Sequence, residues 1–214
     1  MILLSVQYEV IASGSSGNAV LIDDVLVDVG VSFQKIKPHL KYVNYLLITH
    51  THSDHLNRRT FNRIRTLYPK IVVIGNYEVA QTVSVDIIAN DQYPIETLDY
   101  TFLPVEVPHD VITYGYYWKS LDGKNILYCT DTSSLDNILD ALPLTKFDYF
   151  FIESNHDERK IEMIREGSYS KYGYDAYGGA KRHLSTQQAK AFYYMKRNNK
   201  QAELIELHKS SRFY

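Results

Sequence analysis

The run His50-Thr51-His52-Ser53-Asp54-His55 places three imidazoles and a carboxylate within six residues. Imidazole nitrogen and carboxylate oxygen are the donors that borderline divalent cations such as zinc accept. His50 and His52 alternate, so in an extended loop their side chains converge on one point. Asp54 and His55 follow at once, displaced around the loop as it enters a helix, close enough to hold a second ion. The HxHxDH spacing therefore points to two metals. Four donors do not complete two sites, so further ligands must come from other strand ends. The sequence offers three: His109 after Phe102-Leu-Pro-Val-Glu-Val-Pro108, Asp131 after Ile126-Leu-Tyr-Cys-Thr130, and His208 after Leu204-Ile-Glu-Leu207.

Two divalent ions about 3.5 to 4 Å apart lower the pKa of a shared water, and the resulting metal-activated hydroxide attacks phosphorus or a carbonyl carbon. Zinc, manganese and iron all suit such donors, with zinc or manganese expected. Residue chemistry alone permits phosphodiester, ester, thioester or lactam hydrolysis equally. Asp54 would also orient the nucleophile, and His183, an imidazole titrating near neutrality, would assist the leaving oxygen unless it merely caps the helix after it. Arg182 beside it suits a phosphate, and with Lys171 and Lys181 forms a candidate phosphate-binding edge, with a solvated charged loop as the default alternative. Ser15 and Asn18, in the turn Ser13-Gly-Ser-Ser-Gly-Asn18, are further candidate phosphate contacts, with a plain hairpin turn as the alternative. Asn155 and His156, just past a buried strand, are candidates to line the cleft, with a surface loop as the equal alternative.

These residues need a scaffold of strand ends. Apolar runs predict strands over Val6–Ile11, Ala19–Ile22, Val25–Val29, Tyr45–Ile48 and Ile71–Ile74, with a helix from Leu56 to Tyr68 and a short one over Glu78–Val83. Further strands are expected around Ile87-Ile88 and over Tyr100–Val107, Ile112–Lys119, Lys124–Cys129, Tyr149–Ile152 and Ala202–Leu207. Helices are expected over Leu135–Ala141, Arg159–Gly167 and from the cap-like Ser185 to about Asn198, and a long loop over Ser168–Lys181. With 214 residues and 45% hydrophobic content, the chain reads as one domain, 1–214, able to bury a full core.

At this point the chain resembles the metallo-β-lactamase superfamily, in which HxHxDH, a later His, an Asp and a last His hold two metals. It looks most like the YycJ/WalJ branch, through Ser13-Gly-Ser-Ser-Gly-Asn18, Pro108-His-Asp110, Thr130-Asp-Thr132, Glu153-Ser-Asn-His-Asp157 and His183-Leu-Ser185. It departs from that branch at Arg182, where Gly is usual, and after His208, where Lys-Ser-Ser-Arg-Phe-Tyr214 replaces asparagines. The resemblance implies an α/β fold, an αββα sandwich. It also implies that His50, His52 and His109 hold one metal, that Asp54, His55 and His208 hold the other, and that Asp131 bridges them. Asp28 resembles the superfamily's strand-end aspartate that orders the histidine loop by hydrogen bonding.

The branch is associated with nuclease activity, so the expected function is a phosphodiesterase or nuclease acting on nucleic acid or a nucleotide. The alternatives are a small-molecule hydrolase, such as a cyclic-nucleotide phosphodiesterase, and a non-catalytic metal-stabilised binding module. A net charge of −2 means that any nucleic-acid contact must come from a local patch. The 19 tyrosines read mostly as packed strand residues. The single Cys129 rules out an internal disulfide framework, and no apolar run is long enough to span a membrane. With an N-terminus that alternates like a strand, the expectation is a cytoplasmic protein with no membrane partner.

Overall fold

A computed structural model describes residues 5–163, 165 and 175–210. Short runs of branched and aromatic residues form two six-stranded sheets. The first runs in the order β1 (Tyr8–Ala12), β2 (Ala19–Ile22), β3 (Val25–Val27), β4 (Tyr45–Ile48), β5 (Val72–Gly75) and β6 (Ile87–Ile88). The second contains β7 (Ile95–Glu96), β8 (Thr101–Val107), β9 (Thr113–Lys119), β10 (Asn125–Cys129), β11 (Tyr149–Glu153) and β12 (Glu203–Leu207), also in sequence order across the sheet. Each sheet begins as an antiparallel meander and ends in parallel strands, from β3 to β6 and from β10 to β12.

The parallel strands are apolar on both faces because both faces are covered. Val25, Val27, Tyr45 and Leu47 face the other sheet, where they meet Phe102, Tyr116, Trp118, Tyr128 and Phe151. Their neighbours Leu26, Leu46, Ile48 and Val73 pack outward on Phe33 and Ile36 of α1 (Phe33–Ile36) and on Phe61 and Ile64 of α2 (Arg58–Leu67). On the other side Leu127, Cys129, Phe150 and Ile152 pack on Ile138 of α4 (Asp136–Ala141), and on Ala189 and Phe192 of a late helix, Thr186–Lys196. The result is four layers, helix, sheet, sheet, helix, as the αββα expectation required. Among the described residues no helix is long and apolar enough to cross a membrane.

Helix starts follow local capping chemistry. Asn57 accepts from Thr60 N at the head of α2, and Asn76 accepts from Val79 N at the head of α3 (Tyr77–Thr82). Ser185 and Gln188 form a reciprocal capping box at the start of Thr186–Lys196. Three differences from the sequence reading stand out. The two-residue β7 and the short α1 carry too few residues for a periodic signal. The expected helix Arg159–Gly167 is α5 (Glu158–Met163), and three of the expected residues, Ile164, Glu166 and Gly167, lie outside the described ones. Within the expected loop Ser168–Lys181, residues 168–174, including Lys171, also lie outside them, and α6 (Ala176–Ala180) is helical because Asp175 caps it through Gly178 N. The helix Thr186–Lys196 is therefore α7.

Candidate metal centre

Strand ends from both sheets open on one edge of the sandwich. Asp28 follows β3, His50 follows β4, His109 follows β8, Asp131 follows β10, and His208 follows β12. Asp28, Asp131 and His208 have φ of 62°, 55° and 53°. Left-handed backbone costs a non-glycine residue about 1–2 kcal/mol. Here it turns each chain at the strand end and aims its side chain inward.

The HxHxDH loop is held against β3 by close backbone packing. Gly30 N donates to Asn18 O, Asn18 N donates to Asp54 O, and Val29 N donates to His55 O. A Cβ on Gly30 would lie 1.6 Å from Asp54 O, so only glycine fits there.

Buried hydrogen bonds set the tautomers of the imidazoles. The Asp28 carboxylate accepts from Thr49 N at 2.9 Å and from the Thr49 hydroxyl. With its proton directed at Asp28, Thr49 Oγ1 accepts from His50 Nδ1 at 2.9 Å, which leaves His50 Nε2 as a lone pair. His55 Nδ1 donates to Asp28 Oδ2 at 2.7 Å. His208 Nδ1 donates to Glu153 Oε1 at 2.9 Å. At His50 and His208 the second nitrogen has no hydrogen-bond partner, whereas that of His55 faces the Asp131 carboxylate; a partner on one ring nitrogen that directs the other is how metal-binding histidines are oriented.

The freed atoms converge. One ligand atom each from His50, His52 and His109 lie within 4.8 Å of one another, and the same holds for Asp54, His55 and His208 and for His50, His55 and Asp131. His50 Nε2, His109 Nδ1, His208 Nε2 and Asp131 Oδ2 are buried without a hydrogen-bond partner, although Asp131 Oδ2 lies 2.8 Å from His55 Nε2. Buried polar atoms rarely go unpartnered, and four in one place fit a bound cation. The donor set, imidazole plus carboxylate, is that of divalent metal sites.

Electrostatics agrees. Burial and neighbouring His55 hold His50 well below the usual histidine range, so its imidazole is neutral. Burial lowers His109 as well. Burial would also lower His55, but Asp131 and Asp28 outweigh it and raise its pKa to about 10. Burial opposes protonation of His208 too, yet Asp131, Asp54 and Glu153 hold it well above the usual range. Burial would raise Asp131, but His55 and His208 keep it well below the usual carboxylate range. The carboxylates thus demand positive charge at the centre, which protons supply when metal does not.

The seven residues expected as ligands, His50, His52, Asp54, His55, His109, Asp131 and His208, are all brought to this edge, and Asp28 holds the loop. His183 stands beside them, its ring centroid 5.3 Å from that of His208 and 5.9 Å from that of His109. Its Nδ1 donates to Glu153 Oε1 at 2.6 Å. Burial lowers its pKa, but Glu153 overrides burial and raises it. Arg182 and Lys181 line a cleft of about 270 Å³ with His109, Asp110 and Ser133. Ser15 is exposed on its turn.

Asn18 and Asn155 differ from expectation. Asn18 is buried, with its amide donating to Gly14 O and Asp54 O and lying 2.8 Å from His55 Nε2. Asn155 Nδ2 donates to His208 O at 3.0 Å. Both amides are engaged in holding ligand loops rather than turned toward a substrate. His156 is likewise buried. Sequence reasoning gave Glu153 no role. It is fully buried, its Oε1 accepts from His183 and His208, and its Oε2 accepts from Thr132 N and Leu184 N. Burial would raise its pKa, but the two histidines hold it below the usual range. The signal was present in the sequence as a glutamate closing the apolar strand Tyr149-Phe-Phe-Ile152.

Solved structures share this architecture across nearly the whole chain. The metallo-β-lactamase fold protein YhfI of Bacillus subtilis superposes with a TM-score of 0.69 at 16% identity, covering 96% of this chain and 87% of that one. The chain has the metallo-β-lactamase fold. The short form of human tRNase Z shares that fold, with a TM-score of 0.69 at 15% identity, covering 96% of this chain and 93% of its own. By sequence, this metallo-β-lactamase-fold chain is 27% identical to the exodeoxyribonuclease WalJ of Streptococcus pneumoniae, over 77% of this chain and 66% of that protein. No family model matches.

Proposed function

We propose that this protein is a dinuclear metal-dependent phosphodiesterase whose substrate is nucleic acid. The observation that carries the reading is the convergence of unpartnered imidazole nitrogens and the Asp131 carboxylate, with His50 and His208 each aimed by a partner on the other nitrogen. His50, His52 and His109 would hold one ion, Asp54, His55 and His208 the other, with Asp131 between them. Bound zinc or manganese supplies Lewis acidity toward a phosphoryl oxygen and lowers the pKa of water.

The protein's own groups do the rest. Asp54 is partly exposed, with Oδ2 3.8 Å from His55 Nε2 and from His208 Nε2, so it can accept a hydrogen bond from the attacking water and orient it. Glu153 fixes the His183 ring through Nδ1 and favours its protonated form, which suits His183 to give a proton to the leaving oxygen. Arg182 and Ser15, at the rim, suit contacts to non-bridging phosphate oxygens. The nucleic-acid assignment is supported by the likeness to an exodeoxyribonuclease and by an open cleft beside His109.

Purified protein loaded with zinc or manganese, offered labelled DNA and RNA oligonucleotides and a cyclic nucleotide in parallel, tests the reading. Cleavage of an oligonucleotide in preference to the cyclic nucleotide is expected. Hydrolysis of the cyclic nucleotide alone would replace nucleic acid by a small-molecule substrate. Binding without turnover of any of them, across several pH values, would leave a binding module.

A further inference from the structure

Residues 31–70 contain eight Lys and Arg and a single acid, Asp54, in a chain whose 23 Lys and Arg are outnumbered by 25 Asp and Glu. That segment forms α1, the turn after it, β4, the ligand loop and α2. Asp54 faces the metal centre, so the outer face of α1 and α2 has no acid of its own. Lys35, Lys37, Lys41, Arg58, Arg59, Arg63 and Lys70 are exposed. Among the described residues none of these seven forms a salt bridge, and Arg65 pairs with Asp86. Glu9, from β1, faces His39 rather than any of the seven.

Two features separate this face from an ordinary solvated surface. Arg58 and Arg59 occupy the first turn of α2 with no acidic residue beside them. Cations there oppose the helix dipole, so the fold itself gains nothing from them. They also begin three residues after His55, where the chain leaves the metal centre. Arg63 lies with its guanidinium 4.2 Å from the Phe33 ring, which ties α2 to α1 and keeps the two rows of cations side by side.

We infer that the α1–α2 face is a track for a nucleic-acid backbone, carrying the part of the substrate that extends beyond the scissile phosphate at the metal centre. The inference rests on the nucleic-acid reading above and adds where the strand runs. A row of unpaired Lys and Arg reads phosphates rather than sequence, and the exposed Tyr42 ring beside Lys41 adds a surface on which a base can stack. An anionic membrane is the poorer fit, because the apolar stripe of α2, Phe61 and Ile64, is buried against the sheet and cannot enter lipid. Arg182 and Lys181 stand at the cleft beside His109, so cations flank the centre on that side as well.

The test is salt-dependent binding of the metal-loaded protein to a fluorescent phosphorothioate oligodeoxynucleotide, single-stranded and duplex, followed by anisotropy. Neutralising four cations together, Lys35→Gln, Lys37→Gln, Arg58→Gln and Arg59→Gln, should flatten the slope of log K against log salt by about 0.7 to 0.9 for each phosphate that the variant no longer engages. Binding at moderate salt should fall at least tenfold. Arg58→Lys with Arg59→Lys should keep the wild-type slope, which a merely structural role for these positions would not predict. Thermal unfolding and metal content verify that the quadruple variant is folded. An unchanged slope in a folded variant overturns the inference, as does binding of anionic phosphatidylglycerol vesicles in place of DNA. Wild-type hydrolysis of bis(p-nitrophenyl) phosphate reports the diesterase reading separately: turnover with an unchanged slope sinks only the track, and no turnover with a flattened slope sinks only the chemistry.

Discussion

Glu153→Gln isolates the positioning network from the ligands themselves. The carboxylate is buried and faces donors on both sides: His183 Nδ1 at 2.6 Å and His208 Nδ1 at 2.9 Å on one oxygen, Thr132 N at 3.1 Å and Leu184 N at 3.4 Å on the other. A glutamine presents its amide NH2 to one of these pairs. If it faces the backbone pair, donor meets donor and the turn carrying Asp131 shifts. If it faces the histidines, they must accept at Nδ1, and His208 then carries its proton on Nε2, the atom needed for metal. Hydrogen bonds to a charged group contribute about 1.5–3 kcal/mol each, and the amide can retain part of the set. A net loss of about that size corresponds to roughly 10- to 100-fold weaker metal binding, the range seen when such supporting groups are removed. Competition against a chromogenic chelator measures it. The variant should also lose the alkaline extension of activity, because Glu153 is what raises His183: without it the proton donor is lost at lower pH. Unchanged metal affinity together with an unmoved alkaline limb would refute the network.

Gly30→Ala forces a Cβ into Asp54 O, so the ligand loop must move; metal content should collapse and the melting temperature fall, as calorimetry and metal analysis can report. Asp28→Asn removes the charge that His55 and Thr49 lean on, and metal affinity should drop by about 10- to 100-fold, read by chelator competition. Metal binding should release protons. His55, with a pKa near 10, and His208, well above its usual range, are protonated in the metal-free protein at neutral pH and must lose a proton to ligate. Calorimetry in buffers of different ionisation enthalpy should find about two protons released at neutral pH, and affinity rising with pH. For the metal-free protein the linkage runs the same way: the stabilisation from His55 is complete below its ordinary pKa of 6.5 and is lost as pH rises toward 10, so its melting temperature should decline over that window.

Much of this centre was legible because its chemistry is local. The HxHxDH run announces itself in six residues, and His109, Asp131 and His208 each follow an apolar run that can only be a strand. Asp28 was legible only through the resemblance to the superfamily's strand-end aspartate. Glu153 was not, since its partners His183 and His208 lie 30 and 55 residues away: the parallel pairing of β11 with β12 brings up His208, and the docking of the turn before α7 on residues 155 and 156 brings up His183. Asn18 and Asn155 resembled substrate contacts because polar residues in turns usually face water. Their burial depends on long-range bonds to Asp54 and His208. The basic face of α1 and α2 is hidden in the sequence because the chain's overall charge is slightly negative, which masks a local excess, and because α1 is too short to show a period.

The central claim is that the converging imidazoles and carboxylates hold the metal on which hydrolysis depends. Cleavage of a labelled oligodeoxynucleotide by chelator-stripped protein, before and after zinc or manganese is restored, tests it most directly. No cleavage in the stripped protein and recovery with either metal are predicted, with recovery abolished in His50→Ala. Cleavage that persists without metal, or that recovers equally in His50→Ala, would contradict it.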